Sequence, residues 1–335
     1  MCLQYVQYTR FYGCGCTVKE WGSKQTCDDP NRVGHVTKEH NTGSGKHDGK
    51  CGQSTCPHPC QGRTAFVYRV KEGLVCKVPS DTNSDRYRAE IENAFVVEKR
   101  LLERLGHHPR IVHPYTIEGM KEGLLLDEAN CGNLQSYIDS DDYKSDETLR
   151  EKWSLQVAEA VSYVHDNGII HSNLSTENVL VHGTGQRTDL ILADFGGSKC
   201  LDLDLNGHLL PDEPFFDPHI DIASPKIDIF SLGMIIYIIN TAHYPFHGRP
   251  APANNERRAY EDFVRSQFEK NEFPDLSGVP FRDVIAGCCI ERRFETAHEV
   301  VLALKAEMRY NTLRRSTMML GCIIFLGCTI FLACT

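Results

Sequence analysis

The stretch GIIHSNLSTENVLV at residues 168–181 places three side chains capable of chemistry within eight residues: His171, Asn173 and Asn178. The amide of Asn173 can accept a hydrogen bond and orient a hydroxyl group, but it cannot take up the proton of that hydroxyl. A general base contributes about 10²–10⁴-fold to a reaction rate. The chemistry of this loop therefore depends on what the rest of the chain brings to it.

Three charged residues are the next candidates: Lys77 in LVCKVP, Glu98 in VVEKRLL and Asp194 in LILADFGG. Taken singly, each has an ordinary structural explanation, as a surface lysine, a helix-surface glutamate and a turn aspartate. Their occurrence together, in one chain order with the loop above, favours a functional explanation.

The elements that must position these residues can be read from the hydrophobic pattern. Residues 62–79 alternate as two strands that turn at KEG, and residues 86–105 have helical spacing that ends at Gly106. The run KIDIFSLGMIIYIINT is so apolar that it predicts a core helix, and it is too short for a convincing membrane span. Strands first and helices afterwards indicate an α+β architecture of two lobes.

In this order, over about residues 60–308, the motifs resemble the eukaryotic protein-kinase fold. The phrase GRTAFVYRV and the short first lobe also look like small fungal kinase-like proteins. The resemblance implies a small β-rich lobe at residues 51–129 and a larger helical lobe at residues 130–310. It also implies that ATP and Mg²⁺ are bound: Lys77 would hold the α- and β-phosphates, Glu98 would pair with Lys77, and Asn178 and Asp194 would hold the metal.

The resemblance further implies a nucleotide pocket in the first lobe. Leu126 would guard the back of the adenine site, and the backbone of Asp127 to Ala129 would read the adenine. Aligned on Val67, the three glycines of the phosphate loop fall on Cys60, Gly62 and Ala65, so that only Gly62 is kept. Side chains at the other two positions obstruct close backbone approach to phosphate, which predicts a weaker grip on ATP.

Scaffold positions are implied as well. A buried stack would be formed by Leu102, His171 and Phe195, and Asp228 would steady the catalytic loop. The activation segment would lie between Lys199 and Ala223. The arginine near the end of the domain that normally pairs with an acid below this segment would be Arg293. The usual Ala-Pro-Glu ending of that segment has no clean match, DPH at residues 217–219 being nearest, so Arg293 would lack its ordinary partner.

The departures fall on the catalytic and regulatory positions. Asn173 replaces the aspartate that the family uses as proton acceptor, and Ser175 replaces the lysine that neutralises the γ-phosphate. Ser172 replaces the arginine that receives a phosphorylated activation loop. Consistently, no Ser, Thr or Tyr lies between Lys199 and Ala223.

The N-terminal residues differ in composition from the rest. Of the chain's 15 cysteines, seven lie in the first 60 residues, in a context rich in Gly, Lys, Asp, Asn and His and poor in aliphatic residues. Such a segment buries little core, which predicts a disordered or zinc-binding leader over residues 1–50, with Zn²⁺ held by ligands within residues 1–60. The formal net charge of −9 argues against nucleic acid as a partner.

The run STMMLGCIIFLGCTIFLACT at residues 316–335 contains no charge and follows Arg309, Arg314 and Arg315. Twenty helical residues span about 30 Å, the thickness of a bilayer core. The run therefore predicts a C-terminal transmembrane anchor, and the preceding arginines favour a cytosolic kinase-like domain. A buried C-terminal helix is the alternative, although such a helix normally carries a polar stripe.

Three functions follow from these expectations. The chain is a pseudokinase or weakly active Ser/Thr-type kinase that binds ATP and Mg²⁺; or an active protein Ser/Thr kinase, since phosphoryl transfer depends mainly on positioning and metal charge; or a membrane-anchored interaction scaffold without nucleotide binding. The protein partner or substrate is not specified by the sequence.

Overall fold

The computed structural model describes residues 2–11, 17–25, 37–47, 60–61, 64–80, 82, 84–115, 123–140, 146–185, 187–248 and 250–313, with side chains from residue 64 onward except that of residue 254. By backbone contacts the chain divides into two compact units, Met1–Glu92 with Tyr115–Glu128 and Asn93–Pro114 with Ala129–Thr335. The domain boundaries drawn from the sequence stay predictions.

The N-terminal region contains three strands: β1 (Cys2–Phe11), β2 (Thr17–Gln25) and β3 (Thr37–His47). β1 lies in the centre, antiparallel to β2 and parallel to β3. Strands thus lie in part of the region for which the sequence predicted a disordered or zinc-binding leader, and zinc binding there stays a prediction. The prediction of disorder rested on the lack of aliphatic side chains. Strand pairing, in contrast, uses backbone N–H and C=O groups, and every residue other than proline carries both.

The first unit also contains a second sheet. Its strands are β4 (Cys60–Gln61), β5 (Ala65–Lys71), β6 (Leu74–Pro79), β7 (Pro114–Tyr115) and β8 (Leu124–Asp127), in the order β4-β5-β6-β8-β7. β5 and β6 form the predicted hairpin, rich in Val, Phe and Tyr, which suit a pleated surface. The turn between them needs Gly73, whose φ of 78° lies in the left-handed region.

Helix α1 (Asp85–Leu105) confirms the helix predicted from the apolar spacing. Its buried apolar residues are three or four positions apart except for the neighbours Leu101 and Leu102, which gives the helix one apolar face: Ile91, Ala94, Val97, Leu101, Leu102 and Leu105. The helix ends at Gly106, whose φ of 61° is that of a left-handed C-terminal residue.

The second unit is mainly helical. It contains α2 (Leu134–Asp139), α3 (Glu147–Asp166), α4 (Lys226–Thr241), α5 (Asn254–Glu269) and α6 (Arg282–Cys289), and residues 297–313 form a last helix, α7. Two short hairpins lie between α3 and α4: β9 (Val179–Thr184) with β10 (Arg187–Leu192), and β11 (Lys199–Cys200) with β12 (Leu205–Asn206).

Helix α4 is the core of this unit, as its sequence predicted. All thirteen residues from Ile227 to Ile239 are buried, and the helix packs against α3 and α6. A Cβ atom on Gly233 would lie 2.5 Å from the Cβ of Cys288, so the approach of α4 to α6 requires glycine there.

No helix within the described ranges is long and apolar enough to cross a membrane. The predicted anchor at residues 316–335 lies outside the described residues. The same holds for Gly62 of the phosphate loop and for the side chains of residues 1–60, to which the zinc prediction refers.

Candidate active site

The stretch around His171 is held in shape by one buried carboxylate. Asp228, in the first turn of α4, accepts hydrogen bonds from the backbone N–H of His171 at 2.6 Å and of Ser172 at 2.9 Å. The ring Nε2 of His165 lies 2.9 Å from the same carboxylate. The prediction that Asp228 steadies this loop is confirmed by these contacts.

His171 is fully buried, and its Nε2 lies 3.1 Å from the carbonyl oxygen of Ala193. Burial lowers the pKa of His171, against an opposing effect of the Asp228 carboxylate. Its ring centroid lies 5.0 Å from that of Phe195, and Leu102 is equally buried, as a regulatory stack requires. His171 therefore positions the loop as a neutral side chain, and it has no exposed atom with which to meet a substrate.

Asn178 has its amide orientation fixed by a hydrogen bond. Its Nδ2 donates to the backbone carbonyl of Asn173 at 2.7 Å, which leaves Oδ1 as the atom that can face a ligand. The backbone carbonyl of Asn178 accepts a hydrogen bond from the N–H of Ala193 at 2.9 Å, and Asp194 is the next residue in the chain after Ala193. The two predicted metal residues thus come from neighbouring backbone segments.

The donor set fits Mg²⁺. An amide oxygen from Asn178 and the carboxylate of Asp194 are hard oxygen ligands, and Mg²⁺ in phosphoryl-transfer sites takes one or two carboxylates, with water and substrate phosphate completing the shell. Across the described side chains there is no cluster of three or more His, Cys, Asp or Glu residues that could hold a metal by itself.

Asn173 is half-buried between the loop and the activation segment. A Cβ atom on Gly197 would lie 3.3 Å from the Cβ of Asn173 and 2.6 Å from that of Leu209, so the second glycine of DFGG permits this close packing. The backbone at Gly197 therefore lies close to the side chain of Asn173.

In the first unit, the predicted nucleotide residues share one face of the sheet. Val67 on β5 lies directly opposite Lys77 on β6, and Lys77 lies opposite Leu124 on β8. Side chains alternate along a strand, so Leu126 points to the same face as Leu124. Val67, the buried Lys77 and Leu126 are therefore brought together on this face.

The segment after β8 is tied to the first hairpin. The Asp127 carboxylate accepts a hydrogen bond from the Tyr115 hydroxyl at 2.6 Å, which raises the pKa of Tyr115. Glu128 accepts from the Arg69 guanidinium at 2.9 Å and from the backbone N–H of Gly73 at 3.1 Å. Asp127 and Glu128, the first two of the three residues whose backbone is predicted to read the adenine, are therefore held by these hydrogen bonds.

Glu98 lies on α1 and is buried. Lys77 belongs to the first unit and Glu98 to the second, and their ion pair stays a prediction.

The prediction for the late arginine was wrong by one residue. Arg292, not Arg293, pairs with the fully buried Asp217, with its Nε 2.7 Å from Oδ2. Arg292 has a φ of 50°, and this left-handed turn directs its side chain inward. Arg293 instead pairs with Glu291 and donates to the backbone carbonyl of Asp283 at 2.7 Å. The aspartate of DPH therefore does have an arginine partner.

Two further ion pairs of the activation segment were not found from the sequence. The buried Glu213 accepts two hydrogen bonds from Arg265 on α5, at 2.6 and 3.0 Å. Arg104 on α1 lies 3.0 Å from Asp202 and donates to the backbone carbonyl of Asn167 at 2.7 Å. The many carboxylates of this segment indicated that ion pairs would form there. The arginines that pair with them lie far away in the sequence, so only the fold identifies them.

A family model described as "Protein kinase domain" matches residues 61–301. Serine/threonine-protein kinase SIK1 of Rattus norvegicus is 29% identical over 181 residues, covering 52% of this chain and 23% of the relative. Calcium/calmodulin-dependent protein kinase type 1 of Macrobrachium nipponense is 28% identical over 184 residues, covering 53% and 51%. Calcium/calmodulin-dependent protein kinase type IV of Mus musculus is 29% identical over 199 residues, covering 56% and 40%. The matches thus span about half of these relatives' length or less.

The matched residues include the β5–β6 hairpin, α1, the loop held by Asp228 and the core helix α4. They cover most of the chain, and the resemblance seen in its motifs rests on the same residues. The chain belongs to the protein kinase domain family.

Proposed function

We propose that this protein binds ATP with Mg²⁺ and transfers phosphate slowly or not at all. The observation that carries the proposal is the catalytic loop: Asp228 and the bond from Asn178 to the Asn173 carbonyl keep its shape, while the side chain at position 173 is an amide. A loop kept in shape is compatible with ligand binding, and an amide is incompatible with general-base catalysis.

Each retained residue has a role in nucleotide binding. Bound ATP with Mg²⁺ would supply the phosphoryl group and the metal charge that offsets its negative oxygens. Lys77 would hold the α- and β-phosphates, while Oδ1 of Asn178 and the carboxylate of Asp194 would hold the metal. Val67 and Leu126, on the same sheet face as Lys77, would cover the adenine.

The two substituted residues set the chemical limit. Asn173 can orient an acceptor hydroxyl through its Oδ1, but the proton must leave without a base. Ser175 offers a hydroxyl where a cation would compensate charge developing on the γ-phosphate. The missing proton acceptor and the missing cation would each have stabilised the transition state more than bound ATP. We therefore expect ATP binding to persist where phosphate transfer is impaired.

An active Ser/Thr kinase is the second candidate. The relatives are named as serine/threonine or calcium/calmodulin-dependent kinases, and a loose transition state requires little from a general base. A scaffold without nucleotide binding is the third outcome of the test below. The protein substrate or partner would be recognised by residues outside those argued here.

We expect millimolar Mg·ATP to raise the melting temperature of the full chain. At about ten times the dissociation constant, binding adds roughly 1.4 kcal/mol, or about 3 °C for a domain of this size. Lys77→Ala and Asp194→Ala should remove the shift, whereas Lys71→Ala, an exposed lysine of the same hairpin, should keep it. No shift in the natural protein would favour the scaffold, and rapid transfer from labelled ATP would favour the active kinase.

We also propose that residues 316–335 anchor the protein in a membrane with the kinase domain in the cytosol. The proposal is supported by twenty uncharged residues behind Arg309, Arg314 and Arg315.

A further inference from the structure

Helix α7 has two faces of different kinds. Ala297, Val300 and Leu304 are fully buried and, together with Val301, attach the helix to the second unit. The opposite face is exposed, and over its last three turns it carries Leu302, Ala306, Arg309, Tyr310 and Leu313. A surface helix normally presents polar residues on the side away from the core, so this second face needs an explanation.

The exposed apolar residues form one stripe. Leu302, Ala306, Tyr310 and Leu313 follow spacings of four, four and three residues, which place them on one side of a helix. The exposed fractions are 55% for Leu302, 64% for Tyr310 and 68% for Leu313. The first turn differs, because its exposed residues are His298 and Glu299. The apolar character is therefore confined to the end of α7 that leads to residue 316.

The nearby charges on this face are positive. Arg309 is exposed within the stripe, and Arg314 and Arg315 follow directly in the sequence. Glu307 is the acidic residue of α7 between Leu302 and Leu313. Its side chain is half-buried on a flank of the stripe, and burial raises the pKa of its carboxyl. Lys305, on the other flank, is held by Glu159 on α3 at 2.9 Å. From Leu302 to Leu313 the stripe thus combines apolar side chains with Arg309. Glu299, one turn before Leu302 on the same face, uses its carboxylate to accept hydrogen bonds from the backbone N–H groups of Glu295 and Thr296.

The distance to the uncharged run is short. Two residues, Arg314 and Arg315, separate Leu313 from Ser316, and a chain covers at most about 10 Å over these three steps. If the run begins to cross a bilayer at Ser316, Leu313 must lie within the headgroup layer or immediately beside it. A helix standing upright there would leave Leu302 and Tyr310 in water, whereas a helix lying along the surface would bury them.

We propose that the stripe Leu302, Ala306, Tyr310 and Leu313 lies in the headgroup layer of an anionic membrane and so fixes which side of the kinase domain faces the lipid. This inference rests on the membrane anchoring proposed above. Tyrosine favours the interface because its ring is apolar and its hydroxyl is polar. Arg309, Arg314 and Arg315 supply the attraction to anionic headgroups, and the long side chain of Arg309 reaches the phosphates from within the stripe.

The experiment uses the full chain on vesicles that contain brominated lipids, which quench tryptophan nearby. Tyr310→Trp places a reporter in the stripe, and Leu201→Trp places a matched reporter at a leucine that is 92% exposed on another element. The emission of Trp21 and Trp153 is subtracted with the unsubstituted protein. We expect quenching of the reporter at residue 310 on anionic vesicles and none of the reporter at residue 201.

Flotation of the same samples separates the two proposals. If the full chain does not float with vesicles, both the anchor and the surface-lying helix are overturned. If it floats but the reporter at residue 310 is not quenched, the anchor stands and the orientation is wrong.

The lipid class is tested with charge. Arg309→Glu should reduce quenching of the reporter at residue 310 on anionic vesicles while flotation persists, because the run at 316–335 is unchanged. Equal quenching on neutral and anionic vesicles, or no effect of Arg309→Glu, would overturn the assignment to an anionic membrane. The exposed stripe would then be explained by contact with an apolar protein surface.

Discussion

At the scale of single residues, the proposal of impaired phosphate transfer rests on Asn173 and Ser175. Asn173 sits in a loop whose backbone is held by Asp228 and whose neighbour Asn178 is oriented by the Asn173 carbonyl. Neither of these two contacts involves the side chain of Asn173. A carboxylate placed there would enter a loop that already has its shape.

Asn173→Asp should increase phosphate transfer from labelled ATP by about 10²-fold or more, because it restores a proton acceptor. Ser175→Lys should add compensation for charge on the γ-phosphate, and the double variant should exceed the product of the single effects if the two residues act as a unit. Transfer by the natural protein that already equals both variants would contradict the impaired-kinase proposal. ATP binding without transfer in any variant would place the defect in the phosphate loop.

His171 predicts a pH dependence of stability. Burial lowers its pKa in the folded protein below the ordinary value of about 6.5, so the unfolded chain takes up a proton that the folded chain resists. The contribution of His171 is therefore present above pH 6.5 and is lost as the pH falls below it, by up to about 1.4 kcal/mol per pH unit.

Denaturant unfolding between pH 7.5 and 5.0 should show this loss in the natural protein and a flatter profile in His171→Phe. The phenylalanine variant should be less stable at pH 7.5, because it cannot bond to the Ala193 carbonyl. Parallel profiles for the two proteins would mean that the fold does not lower the pKa of His171.

At the scale of elements, the activation segment is held by ion pairs in which the carboxylate is buried. Glu213 and Asp217 lie inside the second unit and each meets one arginine, Arg265 or Arg292. Leaving such a carboxylate buried without its partner costs about 3–5 kcal/mol, whereas an exposed pair such as Arg104 with Asp202 contributes up to about 1 kcal/mol. The inner pairs therefore dominate the order of this segment. None of them requires a phosphorylated residue.

Arg292→Ala should destabilise the protein by about 3–5 kcal/mol in denaturant unfolding, because Asp217 remains buried. Arg293→Ala is the matched control, since Arg293 and its partner Glu291 are 44% and 51% exposed, and it should cost about 1 kcal/mol or less. Asp217→Asn in the Arg292→Ala background should recover part of the loss by removing the buried charge. Equal effects of the two arginine variants would contradict the assignment of the pair.

At the scale of the whole molecule, the membrane anchor is the property that the sequence predicts most directly. Ile324→Arg with Leu326→Arg should abolish flotation of the full chain with vesicles, because each arginine near the centre of a span costs about 2.5–3.5 kcal/mol. Leu201→Arg, a change of the same kind at an exposed position of the kinase domain, should leave flotation unchanged. Persistent flotation of the doubly charged variant would show that residues 316–335 are not the anchor.

The sequence alone predicted the family and the helical core, and it contains the amide at position 173 on which the proposed function rests. The run KIDIFSLGMIIYIINT predicts a core helix because nearly every side chain in it is apolar, and α4 is buried accordingly. The replacement of a carboxylate by an amide at Asn173 is a property of one residue type, independent of its surroundings. Periodicity and residue identity are local quantities, and the sequence contains them in full.

Only the tertiary structure decided which partners meet. Arg292 and Arg293 are adjacent and chemically identical, and the backbone turn at Arg292 directs that side chain to Asp217 while Arg293 stays near the surface. The neutrality of His171 likewise follows from its burial, and the common face of Val67, Lys77 and Leu126 from strand register. Burial, register and side-chain direction are set by contacts between residues far apart in the chain, which composition and spacing do not encode.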